Sequence, residues 1–300
     1  MTDDGSAIGM IGVGLMGTVM AQRLLAAGFR VAGFDVRPQA RARLGEIGGT
    51  PVDSLAELSR QCVRVVISVF DTGQVEAVVE GPGGLLSVPA GRRQVRTAIN
   101  TSTCEPDRMA RLAGRAGAAG LHMIELPISG TSRQVAAGDG VGLVAGDPAV
   151  AATADDIIRA ITPRTYFMGA FGNGTKTKLA INHVLGLNRA ALAEGLTFAG
   201  RLGLPLDAFL EAAKGSAAYS QIMDVKGAKM IARDFHPHGK VLQSLKDFGL
   251  ILDAAAARGQ QLPLAEVYAQ LMAGCVEAGE AEWDNCAIIE EIGRRRTGDT

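Results

Sequence analysis

The run Ile11-Gly12-Val13-Gly14-Leu15-Met16-Gly17 sets three glycines at the spacing G-x-G-x-x-G, where a strand-like segment hands over to a helical one. That spacing suits phosphate chemistry. Gly12 permits a tight turn, Gly14 lets the backbone approach a pyrophosphate, and Gly17 lets helix and strand pack closely. The N-terminus of the helix that follows then offers unpaired N–H groups and the positive end of its dipole to the phosphates. Gly12, Gly14, Leu15, Met16 and Gly17 are therefore the candidate cradle of a dinucleotide.

The next strand-like run, Val31-Ala32-Gly33-Phe34-Asp35, ends in an acidic residue at the spacing expected of the group that bonds an adenosine ribose. An aspartate there repels a 2′-phosphate and favours NAD. Arg37, two residues on, has the opposite leaning: it can pair with that phosphate and favour NADP, or simply face solvent. The expectation is NAD ahead of NADP.

Positioning such a turn requires a parallel sheet, and the first half of the chain alternates short apolar runs with amphipathic stretches. Strands are expected at Ala7–Ile11, Val31–Asp35, Val65–Phe70, Val95–Asn100 and His122–Pro127, with Val141–Ala145 and Thr165–Met168 extending the same sheet. Helices are expected at Met16–Ala27, Leu55–Gln61, Val75–Glu80 and Pro106–Ala118. From about Gly172 the strand-like runs stop and 3.6-residue periodicity takes over in Lys176–Leu202, Leu206–Ala213, Leu242–Arg258, Leu264–Val276 and Cys286–Gly293. The fold class is thus α/β: a Rossmann-like, doubly wound sheet over residues 1–170, then an all-α domain over residues 171–300. A long helix joins the two and is expected to run along their interface.

Composition excludes several classes. With 30 Lys and Arg against 31 Asp and Glu, the charge is balanced and mixed along the chain, so no nucleic-acid surface or polybasic membrane anchor is expected. Arg294-Arg295-Arg296 reads as a solvated polar tail. Cys62, Cys104, Cys275 and Cys286 are scattered, which suits reduced thiols and neither a disulfide frame nor a zinc site. His236 and His238 lack further ligands at metal spacing and read as loop residues, so no metal is expected. The acidic start MTDDGS has no cationic segment ahead of an apolar run, and no apolar stretch is long enough to span a bilayer. The expected location is the cytoplasm.

Three later segments, taken with the glycine turn, make the chain resemble the 3-hydroxyisobutyrate dehydrogenase family, the β-hydroxyacid dehydrogenases, from the N-terminal turn to Asp284. Glu125-Leu126-Pro127-Ile128-Ser129-Gly130-Thr131 is similar to the family's substrate-binding D-A-P-V-S-G-G. The resemblance implies that Ser129, Gly130 and Thr131 meet a substrate carboxylate through the Ser129 hydroxyl and backbone N–H groups. Glu125 and Thr131 depart from the pattern, and Thr131 stands where a glycine lets substrate approach the backbone. Arg133 offers a second anionic contact or, more simply, an exposed charge.

Gly172-Asn173-Gly174-Thr175-Lys176-Thr177-Lys178-Leu179-Ala180-Ile181-Asn182 looks like the family's G-x-G-x-x-x-K-x-x-N-N, which puts Lys178 on the catalytic lysine and Asn182 on the second, substrate-binding asparagine. Ile181 replaces the first. On a helix Lys178 and Asn182 are i and i+4 and share a face. Leu245-Lys246-Asp247-Phe248-Gly249-Leu250 is similar to L-x-K-D-L-x-L, which implies Lys246 near the nicotinamide end of the cofactor with Asp247 positioning it. Val69 and Phe70 stand where the family has M-L-P at the end of the third strand. Asn100-Thr101-Ser102-Thr103 resembles D-x-S-S/T, placing Thr103 against the nicotinamide.

The resemblance implies hydride transfer between NAD(P) and a small anionic 3-hydroxy acid, with Lys178 as general acid/base. A free lysine has a pKa of about 10.4, so work as a base near neutrality calls for burial or a nearby cation such as Lys246. Substrates in view are 3-hydroxyisobutyrate, glycerate with its tartronate semialdehyde partner, L-threonate and 3-hydroxy amino acids such as serine. Homodimer or homotetramer formation is also implied. Rival readings are an NAD-binding scaffold or sensor without turnover, an oxidative decarboxylase of the 6-phosphogluconate type, and an imine reductase, in which the lysine is typically replaced.

Overall fold

The computed structural model describes residues 7–295. The acidic leader at residues 1–6 and Arg296, both subjects of the expectations above, lie outside the described residues. The chain divides into two compact units, one running to Lys178 and the other starting at Leu179.

In the first unit β1 (Ala7–Ile11), α1 (Leu15–Ala26), β2 (Val31–Phe34), α2 (Pro38–Glu46), β3 (Thr50–Pro51), α3 (Leu55–Gln61), β4 (Cys62–Ile67), α4 (Thr72–Glu80), β5 (Thr97–Asn100), α5 (Pro106–Ala118) and β6 (His122–Glu125) alternate along the chain. The six strands form one parallel sheet in the order β3-β2-β1-β4-β5-β6. Winding therefore reverses between β1 and β4, and the glycine turn at the end of β1 sits at that switch point, where doubly wound sheets bind ligands. Both faces of the sheet are covered, which is why its strands read as apolar runs. Ile8 and Met10 pack on one side with Met20 and Leu24 of α1, and Ile11, Val65 and Ile67 on the other with Leu58, Val75 and Leu112.

The expected strands at Val141–Ala145 and Thr165–Met168 form, but they do not extend this sheet. β7 (Ile128–Ser129), β8 (Val141–Val144) and β9 (Arg164–Phe167) make a separate three-stranded sheet, with β7 antiparallel to β8 and β8 parallel to β9. The reason lies in the turn after β6. Pro127 has no N–H for a ladder, and Gly130, at φ 146°, helps reverse the chain. One antiparallel bridge, Glu125 to Ala145, is what joins β6 to the second sheet. Three short helices intervene: α6 (Ser132–Ala136), α7 (Pro148–Ala152) and α8 (Asp155–Ile161).

Helix α9 (Asn173–Arg201) begins in the first unit and continues into the second. Beyond it come α10 (Leu206–Lys214), a π-helical turn at Met223–Gly227, α11 (Ala228–Ala232), α12 (Val241–Ala256), α13 (Pro263–Glu277), a 3-10 turn at Asn285–Ala287 and α14 (Ile288–Arg294). Leu192, Leu196, Phe248, Tyr268 and Met272 lie in their common core. No helix among the described residues is long and apolar enough to cross a membrane. Arg294 and Arg295, read as part of a solvated tail, are 41% and 52% exposed and are also ion-paired. Arg294 bridges the buried Glu280 at 2.6 Å, and both arginines pair with Glu291.

Candidate functional site

The glycine turn is built as its spacing requires. Gly12 has φ 86°, and a Cβ there would stand 2.1 Å from the Ser68 carbonyl oxygen. A Cβ on Gly17 would stand 1.9 Å from the Gly12 carbonyl oxygen, so α1 approaches the turn only because that position is bare. Gly14 differs, since the nearest group a Cβ would meet is Arg37 Nη2 at 3.6 Å. A Cβ there would meet only ordinary contact with that one side chain and no backbone, so the backbone is uncovered where a pyrophosphate needs to approach. The turn thus fits a dinucleotide. Gly14→Ala is expected to leave the unfolding midpoint within about 1 °C, because nothing internal is displaced, yet to weaken dinucleotide binding at least about tenfold by filling the cradle. Paired thermal melts and binding titrations check this; a fall in both would mean that Gly14 serves the fold instead. Leu15, 43% exposed, and the half-buried Met16 open α1 beside this turn.

Asp35 lies just past β2 and is buried. Its carboxylate accepts the Val13 N–H at 2.9 Å, the Arg37 N–H at 2.9 Å, and the Arg37 side chain through Nε at 3.0 Å and Nη2 at 3.2 Å. Burial alone would raise this carboxyl, but the hydrogen bonds from Arg37 and Val13 outweigh it and hold the pKa below the ordinary carboxylate value. The acid is therefore a fixed anion that braces the turn through Val13. On the other side of the switch point, the Val69 N–H donates to Ser102 Oγ at 2.9 Å and the Phe70 N–H to Gln74 Oε1 at 2.9 Å. Asp71, next along, caps α4 by accepting the Gln74 N–H. Strand β4 ends at Ile67, so Val69 and the 37% exposed Phe70 belong to a turn and not to the strand end. Thr103 is half-buried in the segment between β5 and α5.

Ser129 closes β7 and is partly exposed, with Gly130 beside it. Thr131 is already engaged. It caps α6 in a reciprocal box, accepting the Gln134 N–H at 3.2 Å while its own N–H donates to Gln134 Oε1 at 2.8 Å. Of the backbone donors expected to face a carboxylate, that of Thr131 is spent on this cap. Arg133 is exposed.

Glu125 explains the start of α9. This fully buried side chain accepts the N–H groups of Gly172 at 2.7 Å, Gly174 at 3.0 Å and Thr175 at 3.3 Å, together with the Thr175 hydroxyl. Burial pushes the carboxyl above its ordinary range in spite of these donors. Gly172, at φ 98°, sets the approach, and a Cβ on Gly174 would crowd the Leu143 carbonyl oxygen at 2.9 Å. The G-x-G of this motif therefore exists to seat the helix on Glu125. Lys178 follows on α9 with only 8% exposure. Asn182, one turn later, donates through Nδ2 to Asp247 Oδ2 at 2.9 Å. Asp247 also pairs with Lys246 at 3.0 Å and accepts from Gln243 at 3.1 Å, so Asn182 and Lys246 are brought together on one carboxylate.

Two polar features escaped the sequence reading. Glu125 was noted only as a departure from a motif, although a carboxylate followed later by G-x-G is the available signal for its capping role. Lys226 on the π-helical turn forms a buried pair with Asp284 at 2.6 Å, joining residues with no motif between them. His236 and His238 lie in the loop before α12 with ring centres 6.4 Å apart. All four cysteines are buried and none is in a disulfide, and burial pushes the thiols of Cys62, Cys275 and Cys286 up to about 12, out of the range of useful nucleophiles.

Comparison with known proteins covers both units. Residues 7–169 match the family model for the NAD binding domain of 6-phosphogluconate dehydrogenase, and residues 172–292 that for NAD-binding of NADP-dependent 3-hydroxyisobutyrate dehydrogenase. An L-threonate dehydrogenase of Cupriavidus necator is 32% identical over 94% of this chain and 95% of its own. A 2-hydroxy-3-oxopropionate reductase of Escherichia coli is 28% identical over 95% and 96%. Among solved structures, a 3-hydroxyisobutyrate dehydrogenase from Salmonella typhimurium superposes with a TM-score of 0.84 at 27% identity, covering 95% of this chain and 99% of that one.

Proposed function

Since this chain belongs to the β-hydroxyacid dehydrogenases, the 3-hydroxyisobutyrate dehydrogenase family of NAD(P)-dependent enzymes, we propose that it interconverts a small carboxylate-bearing 3-hydroxy acid and its carbonyl form, with Lys178 moving the proton. The nicotinamide, when bound, supplies or takes up the hydride. The chain's residues do the rest. The turn at Gly12, Gly14 and Gly17, with the first turn of α1 at Leu15 and Met16, cradles the pyrophosphate, and Asp35 takes the adenosine ribose, which favours NAD. Val69, Phe70, Thr103 and Lys246 face the nicotinamide end. Ser129 and Gly130 receive the substrate carboxylate, and Asn182 binds a neighbouring oxygen.

In oxidation the Lys178 Nζ accepts the hydroxyl proton as the C–H bond breaks; in reduction it returns that proton to the oxygen of the forming alcohol. The observation that carries this assignment is the placement of Lys178. It is buried, and it rides on a helix whose first turn is pinned by four hydrogen bonds to Glu125. A base held this way keeps its geometry through the reaction.

For the substrate, we favour a polyhydroxy acid of the threonate or glycerate type over a branched apolar one. Support comes from the L-threonate dehydrogenase and the 2-hydroxy-3-oxopropionate reductase among the relatives. The test is a panel of 3-hydroxyisobutyrate, glycerate, L-threonate and serine with each nicotinamide, followed by reduced-cofactor absorbance. kcat/KM for L-threonate or glycerate is expected to exceed that for 3-hydroxyisobutyrate by at least about tenfold, a difference of about 1.4 kcal/mol. A preference for 3-hydroxyisobutyrate would overturn the substrate assignment, and silence across the panel would overturn the activity.

A further inference from the structure

Glu125 is held firmly before it holds anything else. Its backbone N–H donates to the Ala145 carbonyl oxygen at 2.8 Å, and its own carbonyl accepts the Ala145 N–H at 3.1 Å. Its fully buried carboxylate then meets four neutral donors, three backbone N–H groups and one hydroxyl, from Gly172, Gly174 and Thr175. Gly172 has no side chain with which to cap α9, and the Asn173 amide is turned onto the Met168 carbonyl oxygen at 3.0 Å. The anion that caps this helix comes instead from β6, 47 residues earlier.

One peptide unit carries that hold to Lys178. Within an α-helix each N–H bonds the carbonyl four residues back, so the Lys178 N–H takes the Gly174 carbonyl oxygen. The N–H of the same peptide unit belongs to Thr175, and it donates to Glu125 Oε1 at 3.3 Å. A single rigid plane therefore separates the carboxylate from the Lys178 backbone. The end of β6 is tied just as closely to the turns after β4 and β5. Asn100, buried, is the partner of Glu125 on β5, and its carbonyl oxygen accepts the Leu126 N–H at 2.8 Å. Asn100 Oδ1 accepts the Ser102 N–H at 3.1 Å, and Ser102 Oγ accepts the Val69 N–H at 2.9 Å.

Resting on the reading of Lys178 as proton carrier and of Val69 and Thr103 as nicotinamide-side residues, we infer that Glu125 is the positioning residue that sets Lys178 against the path of the hydride. It acts as an anion and through backbone alone. A glutamine of the same shape has one acceptor oxygen. With that oxygen on Gly172 and Gly174, its NH2 faces Thr175, whose hydroxyl can turn to accept while its N–H loses a partner. The bond lost is the one in line with Lys178. A reacting group misplaced by about 1 Å costs up to about a hundredfold in rate.

The experiment is a double-mutant cycle in kcat on the most active acid of the panel above: wild type, Glu125→Gln, Lys178→Ala and the double variant. NADH dissociation constants and melting temperatures are measured for each. Glu125→Gln is expected to lower kcat at least about tenfold, with KM and the NADH constant within about threefold of wild type. In the Lys178→Ala background the same change should cost less than about threefold more, because no proton carrier remains to be placed. An equal loss in both backgrounds, a loss carried by KM or by NADH binding, or no loss at all overturns the role of Glu125 and leaves that of Lys178 intact. Should Glu125→Gln not fold, Thr175→Val removes only the hydroxyl donor and carries the test. It should lower kcat about three- to tenfold at unchanged KM, and an unchanged kcat overturns the inference. If Lys178→Ala turns over normally, or wild type is silent on the whole panel, the underlying reading fails and this inference falls with it.

Discussion

Lys178→Ala is expected to lower kcat by at least about a hundredfold while the dissociation constant for reduced nicotinamide stays within about threefold of wild type. A positioned general acid/base contributes about 10²–10⁴ in rate. Lys178 meets the requirement of position, being buried on a helix seated by Glu125. The conservative variant separates chemistry from charge. Lys178→Arg retains a cation but presents a group that stays protonated throughout the accessible pH range, so it cannot accept the substrate proton. It should therefore remain at least about a hundredfold down in the oxidation direction. If Lys178 only attracted an anionic substrate, the arginine would restore much of the rate and the alanine defect would appear in KM. Steady-state kinetics in both directions, with fluorescence titration of the cofactor, distinguishes these outcomes. Near-normal kcat in Lys178→Ala would remove the residue from the reaction.

The parts of this molecule that could be read in the sequence are those whose cause is local. The glycine turn was visible because each of its three positions answers a separate steric demand within a few residues, and the structure shows two of those demands as Cβ positions that would collide with carbonyl oxygens. The buried strands β1, β4, β5 and β6 and the periodic helices α5, α9, α12 and α13 were visible for the same reason. Local pattern could not say which edge a strand joins. Val141–Val144 has the composition of a parallel core strand, yet it pairs with Ile128–Ser129 and Arg164–Phe167 because Pro127 and the turn at Gly130 send the chain away from β6. Nor could it show what long-range side chains hold. Glu125 and Gly172 are separated by three helices and all three strands of the second sheet, and only folding makes one the cap of the other's helix. Helix α2, from Pro38 to Glu46, was missed because its polar, arginine-rich composition carries little apolar periodicity. In the candidate site, Asp247 was foreseen as support for Lys246, whereas its bond to Asn182 comes from a different helix and has no signature in spacing.

Asp284→Ala is expected to destabilise the helical unit by about 3–5 kcal/mol, because it strands the Lys226 ammonium in the core. Lys226 is 1% exposed and Asp284 fully buried. The ammonium meets both carboxylate oxygens, at 2.6 and 2.8 Å, and Asp284 further accepts the N–H groups of His238 at 2.7 Å and Cys286 at 3.0 Å. Burial would raise the Asp284 carboxyl, but Lys226 and these donors overcome it and bring the pKa to about 2. Burial draws Lys226 below its ordinary value despite Asp284, and Arg189 adds to that pull, so the pair holds together against a real desolvation cost. The sign for the aspartate follows from its depressed pKa. The stability it contributes is present above its unfolded value of about 3.9 and is lost as pH falls toward about 2. The single tryptophan, Trp283, adjoins Asp284 and stacks on Phe235 at 5.2 Å, so its fluorescence reports on this region directly. Denaturant titrations followed by that signal should show the loss in Asp284→Ala at pH 7 and a smaller difference from wild type near pH 2.5. The double variant Lys226→Met/Asp284→Leu removes both charges and should recover most of the loss, since well-packed apolar groups often replace a buried pair without penalty. A double variant as unstable as Asp284→Ala would mean that the chain needs the aspartate for the backbone of His238 and Cys286 more than for the lysine.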